Sequence, residues 1–559
     1  MIAPTAAAAE DIAEMVFVDI EPEDPVTDVD RALAPGAPQV HEDAPGNLLI
    51  DGRIRTDGFD EAFARAHRIV EIEIRSRRQS ALPLEARAAH ASFERATGRI
   101  TLTASVQMPH LLRTALADLL AMRETDLRVV APDVGGAFGQ KMSLFPEYVV
   151  VVWAARRFRA SVAWIEDRRE NLIASAHGRD QHHAVRGAFD ADGRLLALEG
   201  DLRCNVGAYS CYPVTCGVEP LMALAELPGP YDVQEYAARA RGVATNTCMM
   251  APYRGVSRPV ITLAIERLMD CAADQLGLDP VELRRRNLIR SFPYRSVTGL
   301  VVDEGSYLAT LERAALAIDL AAFRARQKAA RAAGRHLGIG FCVFSERTGY
   351  GTRAFAARGM EVTPGHERVE IAMDPSGFIE ARIGASPHGQ GLATTLAQLI
   401  ADELGVEPAQ VRIVHGDTDR TPYGWGTFAS RSMVISGGAC KLAAAALRDR
   451  LTRLAGHLLE ADQGDIELAE GAFRVRGTDL AIALPALARQ AHHQSHRFAG
   501  AHDPHLSAHA VYDPPGTFSN ACHAAIVEVD TETGQVTIER FLVVEDAGVL
   551  VNPLIAEGQ

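Results

Sequence analysis

Three glycines fall within five residues in Val134-Gly135-Gly136-Ala137-Phe138-Gly139-Gln140-Lys141. Such a run lets the backbone approach a large ligand and turn several N–H groups toward it. It is not a nucleotide P-loop, because Gln140 precedes the lysine and Met142 stands where Ser or Thr is needed. The G-G-x-x-G spacing also fails the dinucleotide fingerprint. Read alone, a plain tight turn explains it as well. Ala251-Pro252-Tyr253-Arg254-Gly255-Val256-Ser257-Arg258-Pro259 places two arginines around a glycine just before a helical stretch. That arrangement suits contact with an anion or oxo group, or a structural Arg–carboxylate pair. Two further polar glycine loops follow, Ser386-Pro387-His388-Gly389-Gln390-Gly391 and Gly424-Trp425-Gly426-Thr427-Phe428-Ala429-Ser430-Arg431-Ser432, the latter preceded by His415-Gly416-Asp417-Thr418. Their hydroxyls and backbone donors match a phosphate or a pterin's polar edge, or an ordinary surface turn. His388 and His415 have no companion ligand at metal-binding spacing, so a protein-held metal is not expected.

The elements that must position these loops read as an internal repeat. Arg99 to Gln107 predicts a strand after the turn Ala96-Thr97-Gly98, leading to the apolar-periodic Thr114–Leu120, the strand-like Arg128–Asp133 and the glycine run. Phe378 to Ile383 follows Asp374-Pro-Ser-Gly377 and leads to Gln390, Thr394–Ile400, Arg412–Asp417 and Gly424. Both copies run hairpin strand, glutamine loop, helix, strand, Asp, glycine loop, and two such modules can share one cleft. The expected class is α+β: two related hairpin-sheet/helix modules around a cofactor cleft, the second incomplete at its C-terminus. The expected divisions are an irregular, proline-rich lead-in over 1–60, a first module over 61–300, a helical linker over 301–335 and a second module over 336–559. Leu308 to Ala333 reads as one helix. Further hairpins are expected at Ala188–Gly193 and across Thr533-Gly534.

Composition narrows the function classes. The chain has 559 residues and 57 Lys+Arg against 72 Asp+Glu, a net charge of −15, which argues against a dedicated nucleic-acid binder. No run of eighteen apolar residues is present, and the alanine-rich, acidic start lacks a signal peptide's basic region. Eight scattered cysteines form no C-x-x-C pair. That excludes a zinc ribbon and an iron–sulfur domain on this chain, and fits a cytoplasmic location.

Taken in order, Gln107, Gly135–Lys141, Tyr253-Arg254-Gly255, Glu266–Asp270, Asp279–Asn287, His388–Gly391, Gly416–Thr418, Gly426–Ser432 and Asp546–Pro553 resemble the molybdopterin-binding large subunit of the xanthine dehydrogenase/aldehyde oxidase family, the molybdenum hydroxylases. The resemblance runs over nearly the whole chain. It implies a molybdenum–pyranopterin cofactor, as the cytosine dinucleotide, and hydroxylation of a heterocycle, aldehyde or related substrate with oxygen from water. Electrons would leave through a small iron–sulfur subunit and an FAD subunit. By matching position, Gln107 would hydrogen-bond the metal's oxo ligand. The backbone of Gly136, Ala137, Phe138 and Gly139 would approach the metal and pterin, and Arg254 would act in the loop above them. Gln390, Ser430, Ser432 and Gln559 would hold the pterin and its polar or phosphate edge. Gln107 and Arg254 are the pair expected to act in catalysis.

Three departures from the family accompany these matches. The loop at Gly255 lacks the copper-holding cysteine of carbon monoxide dehydrogenases, so carbon monoxide is not the expected substrate. Relatives place a small α/β domain before the point that matches Met1. They also carry a catalytic glutamate in a Gly-x-Gly-Glu string, which these 559 residues do not contain. The sequence therefore predicts a chain truncated at both ends, completed by a companion chain, or an inactive remnant or structural partner as the alternative.

Overall fold

A computed structural model describes residues 1–356, 362, 365–500 and 502–559. Two four-stranded sheets repeat one plan. In the first, β1 (Ala88–Phe93), β2 (Ile100–Ala104), β3 (Leu127–Val130) and β4 (Val162–Ile165) lie in the order β3-β2-β1-β4. β1 and β2 form an antiparallel hairpin, whereas β2 and β3 run parallel, so a crossover must join them. That crossover is α1 (Pro109–Leu119), which buries Leu111, Leu112, Ala115 and Leu116. α2 (Pro146–Phe158) packs beside it through Tyr148, Val151, Val152 and Ala155.

The second sheet contains β5 (Glu367–Met373), β6 (Ile379–Ile383), β7 (Val411–Val414) and β8 (Ser507–Tyr512) in the order β7-β6-β5-β8. The pairing senses match those of the first sheet strand for strand. α3 (Leu392–Leu404) is the crossover, burying Leu392, Leu396, Ile400 and Leu404 at helical spacing, and α4 (Gly437–Leu459) takes the place of α2. Gln107 and Gln390 each stand two residues before their crossover helix. The repeat expected from the sequence is thus present in the topology.

The modules are zipped together beyond β3 and β7. Val130 bridges to Asp417, the Ala131 N–H donates to Gly416 O at 2.6 Å, and Thr418 N–H donates to Val129 O at 3.1 Å. Arg128 forks onto Asp417 at 2.9 and 2.6 Å, and Arg99 onto Asp419 at 2.6 Å for both contacts. Bidentate geometry fixes register as well as charge.

A third core lies between a five-stranded sheet and a three-stranded one. The first has the order Leu48–Arg55, Glu235–Ala244, Leu195–Gly207, Gln181–Phe189, Arg68–Ser76, and the second is His336–Thr348, Thr517–Val529, Val536–Asp546. The helix Arg258–Leu276 packs between strands of both. Among the described residues no helix is long and apolar enough to cross a membrane.

Two local readings need correction. The lead-in is not irregular throughout: Ala6–Glu14 is helical, and Leu48–Arg55 is the edge strand of the five-stranded sheet. The prolines end at Pro45, and the Leu-Leu-Ile-Asp-Gly-Arg-Ile-Arg run beyond them alternates enough to pair. The Leu308–Ala333 helix is two, Tyr307–Ile318 and Leu320–Ala332, because Asp319 adopts φ 51° and caps the second by accepting from Ala322 N–H at 3.2 Å. Aspartate both caps helices and tolerates left-handed φ.

Two buried histidines make the fold acid-sensitive. Burial lowers His110 to a pKa of about 4 and His183 to about 3, and neither ring nitrogen of His183 has a partner among the described residues. From pH 6.5 down to about 4 for His110, and down to about 3 for His183, the unfolded chain takes protons that the folded chain refuses. Stability is therefore lost as pH falls, by about 3–5 kcal/mol per group. His183→Leu is expected to flatten that decline in urea titrations between pH 7 and 4; an unchanged slope would show His183 charged in the fold.

Candidate functional site

Gln107 is the node on which the cleft is built. It leaves β2 three residues after Ala104 and is 2% exposed. Its backbone N–H donates to Lys141 O at 3.0 Å, and its Oε1 accepts from Gly139 N–H at 3.1 Å. Across the module boundary its Nε2 donates to Thr427 O at 2.7 Å, while its carbonyl accepts from Thr427 N–H at 3.1 Å. One amide thus holds the glycine run of the first module against the loop of the second, and the second Nε2 hydrogen is left for a ligand.

Gly139 and Gly426 are the positions where no side chain fits. A Cβ at Gly139 (φ 108°) would lie 2.0 Å from Pro252 O, and one at Gly426 (φ 82°) 2.2 Å from Gln107 O. Close backbone contact there lets Arg254 N–H donate to Phe138 O at 2.9 Å, tying the arginine loop to the glycine run. The Arg254 guanidinium reaches Gln559, at 2.9 Å to its carbonyl and 3.1 Å to its side-chain oxygen. Below the run, Glu85 accepts from Gly135 N–H at 2.6 Å and from Lys141 Nζ at 2.7 Å. Burial drives the Lys141 ammonium below its usual pKa, against the pull of Glu85.

The second module contributes two loops. Gln390 turns back to accept from His388 N–H at 2.7 Å, beside the start of α3, which has no side-chain cap. Ser432 Oγ donates to Thr427 Oγ1 at 3.1 Å, whereas Ser430 is exposed. Arg431 is fully buried under this loop, bonded to Glu367 at 3.0 Å and to Gly426 O at 2.8 Å.

Phe138, Ala429 and Ser430 adopt left-handed φ values of 54°, 51° and 49°. Among the described residues, the N–H groups of Ala137, Phe138, Gly389, Gln390, Ala429 and Ser430 have no protein acceptor. Unpaired donors on glycine-rich loops are of the kind that bind an oxygen-rich or anionic group. Among the described residues no three His, Cys, Asp or Glu side chains are grouped to hold a metal ion, so a metal here needs a ligand of its own.

Most, not all, of the residues named from the sequence come together, while Ser430 lies exposed and bonds through its carbonyl to Gly349 N–H. Gln107, Gly136–Gly139, Arg254 and Gln559 form one contact chain, Ser432 joins it through Thr427, and Gly389 next to Gln390 lies over Val134 O. Thr427, Glu85 and Arg179 were not singled out as site residues. No local motif marks Glu85 or Arg179, and the Gln107–Thr427 contact spans 320 positions.

Comparison with known proteins shows the family. Profiles described as "Molybdopterin cofactor-binding domain" match residues 40–288 and 313–559. The nicotine 6-hydroxylase large subunit of Paenarthrobacter nicotinovorans is 36% identical over 562 residues, covering 100% of this chain and 69% of that one. The carbon monoxide dehydrogenase large chain of Hydrogenophaga pseudoflava is 34% identical, covering 99% and 71%. The crystal structure of quinoline 2-oxidoreductase from Pseudomonas putida 86 superposes with a TM-score of 0.95 at 38% identity, covering 100% of this chain and 71% of that one.

Proposed function

Because the chain belongs to the molybdopterin-binding large subunits of the xanthine dehydrogenase/aldehyde oxidase family, we propose that it hydroxylates an electron-poor carbon of a nitrogen heteroaromatic compound, with water as the oxygen source. The chain is the molybdenum-cofactor-binding subunit of an oxidoreductase, and its relatives are large subunits of multi-subunit complexes. An inactive remnant is the less favoured reading beside oxidoreductase relatives. The substrate class rests on two relatives named for nicotine and quinoline, both nitrogen heteroaromatics. Carbon monoxide is not proposed, because the Tyr253–Val256 loop has no cysteine.

The observation that carries the cofactor reading is the pair of glycine loops joined through Gln107, which with the Gly389-Gln390 loop carry six N–H groups that have no protein acceptor among the described residues. Such donors suit a pyranopterin with its oxygen-rich metal end and phosphate edge, and Gly139 and Gly426 let the loops that carry them pack directly on backbone. When bound, the cofactor supplies two-electron redox chemistry and transfer of a water-derived oxygen. The chain's own part is orientation. Gln107, with one amide hydrogen not used by the protein, and the Ala137 and Phe138 N–H groups would donate to the metal's oxygen-rich end. Arg254, tied to Phe138 and Gln559, would help to hold the group in place. Gln390, Ser430, Ser432 and Gln559 would hold the pterin and its polar extension, in our reading a cytosine dinucleotide. Donors fixed in advance cost little reorganisation during reaction. Eight unclustered free cysteines on this chain support an electron path through separate iron–sulfur and FAD subunits, and fit a cytoplasmic setting.

The experiment is turnover of quinoline or a pyridine in 18O-labelled water with an artificial electron acceptor. Labelled hydroxylated product is expected; label drawn instead from dioxygen, or no oxidation of any such ring, overturns the proposal. Gln107→Met should lower kcat by about 10²–10³-fold and cost about 1–3 kcal/mol of stability, since Gly139 N–H and Thr427 O lose their partner. Wild-type turnover in that variant would remove Gln107 from the site.

A further inference from the structure

The geometry points to Arg179 as a positioning residue that sets the Arg254 loop over the cleft, an inference that rests on reading the cleft as the cofactor site. Arg179 lies outside every motif above, yet it holds that loop from the side. Its guanidinium lies 3.9 Å from the Tyr253 ring centroid, donates to Arg254 O, and donates to Gln79 Oε1 at 3.0 Å. Tyr253 and Arg254 are therefore gripped together, one through its ring face and the other through its carbonyl.

The grip is itself anchored. Arg179 adopts φ 65°, and its backbone N–H donates at 2.9 Å to Glu219, which is 0% exposed. Glu219 also accepts from Gln181 Nε2 at 2.9 Å, and its carbonyl accepts from Ser257 Oγ at 2.7 Å. Ser257 lies three residues after Arg254, so one network reaches both ends of the loop. Between them Gly255 (φ 93°) and Val256 (φ 57°) are both left-handed. A β-branched residue rarely adopts that conformation without outside restraint. With Arg254 N–H donating to Phe138 O and its carbonyl held by Arg179, the peptide groups flanking Arg254 are fixed on both sides, and the guanidinium is directed to Gln559. Planar stacking with a forked donor is a task for arginine rather than lysine.

The test compares Arg179→Asn, which tolerates the left-handed backbone, and Arg179→Lys with wild type in the complex isolated with its partner chains. Four quantities are read: unfolding midpoint, molybdenum per chain, kcat with KM, and hydrogen exchange of the 253–256 amides. Arg179→Asn is expected to keep the midpoint and the molybdenum, lose about tenfold in kcat with KM little changed, and exchange its 253–256 amides faster. Arg179→Lys should recover only a minor part of the rate. The inference is overturned if Arg179→Asn matches wild type in kcat or in exchange, if Lys restores full rate, or if the rate loss equals the molybdenum loss. Wild-type protein without molybdenum would instead sink the cofactor reading, while faster or unchanged loop exchange would still decide whether Arg179 holds the loop.

Discussion

Gly139→Ala is expected to abolish cofactor retention and to destabilise the first module by about 3 kcal/mol or more. The added Cβ would stand 2.0 Å from Pro252 O and 2.8 Å from Pro252 C, and both are backbone atoms that cannot swing aside. The backbone is also at φ 108° there, where alanine is strained. Relief requires the glycine run and the arginine loop to part. That breaks the Gly139–Gln107 bond and the Arg254–Phe138 bond together, so Gln107 loses its register with Thr427. Gly98→Ala in the β1–β2 hairpin is the control: φ is 74°, but nothing lies within 4 Å of the added atom. It should cost about 1 kcal/mol and leave cofactor content intact. Denaturant midpoints and molybdenum per folded chain check both; a Gly139→Ala chain with full molybdenum would place the cradle elsewhere.

Arg431→Met is expected to cost about 3–5 kcal/mol, the range for stranding one member of a buried ion pair. Arg431 and Glu367 are both 0% exposed, and the guanidinium also serves the carbonyls of Gly426, Gly365 and His366. Burial already raises Glu367 to a pKa of about 7, with Arg431 pulling the other way. Without Arg431 it rises further, so the folded variant holds a proton that the unfolded chain releases near its ordinary pKa of about 4. That stabilisation is complete below pH 4 and is lost as pH rises toward the folded value. The variant's deficit relative to wild type should therefore be smaller at pH 5 than at pH 8, and Glu367→Gln added to Arg431→Met should recover part of it. A deficit independent of pH would mean that Glu367 finds another cation or water. Releasing Gly426 O also frees the Thr427 loop, so Gln107 should lose its partner and turnover should fall.

What the sequence made legible was local and periodic. The hairpin turn at Thr97-Gly98, the apolar spacing of α1 and α3, and the glutamine two residues before each helix are written within short windows. They sufficed to foresee the doubled module and the loops that meet in the cleft. The pairing of Gln107 with Thr427 and of Arg128 with Asp417 joins residues about three hundred positions apart, and no local pattern encodes such contacts. Asp319 broke a helix that Ala, Leu and Arg composition alone would continue, because one capping side chain outweighs weak propensities. Leu48–Arg55 was hidden by the prolines before it, and its place at the sheet edge depends on Glu235–Ala244, nearly two hundred residues away. Glu85 and Arg179 meet partners about fifty to one hundred positions away, and a lone Glu or Arg leaves no spacing to read.

The measurement that tests the central claim most directly is the molybdenum and pterin content of the chain purified with whatever subunits accompany it. The account predicts both in equimolar amount with the chain, and both lost in Gly139→Ala but retained in Gly98→Ala. Folded wild-type protein from a host that makes the cofactor, yet carrying neither molybdenum nor pterin, would contradict it.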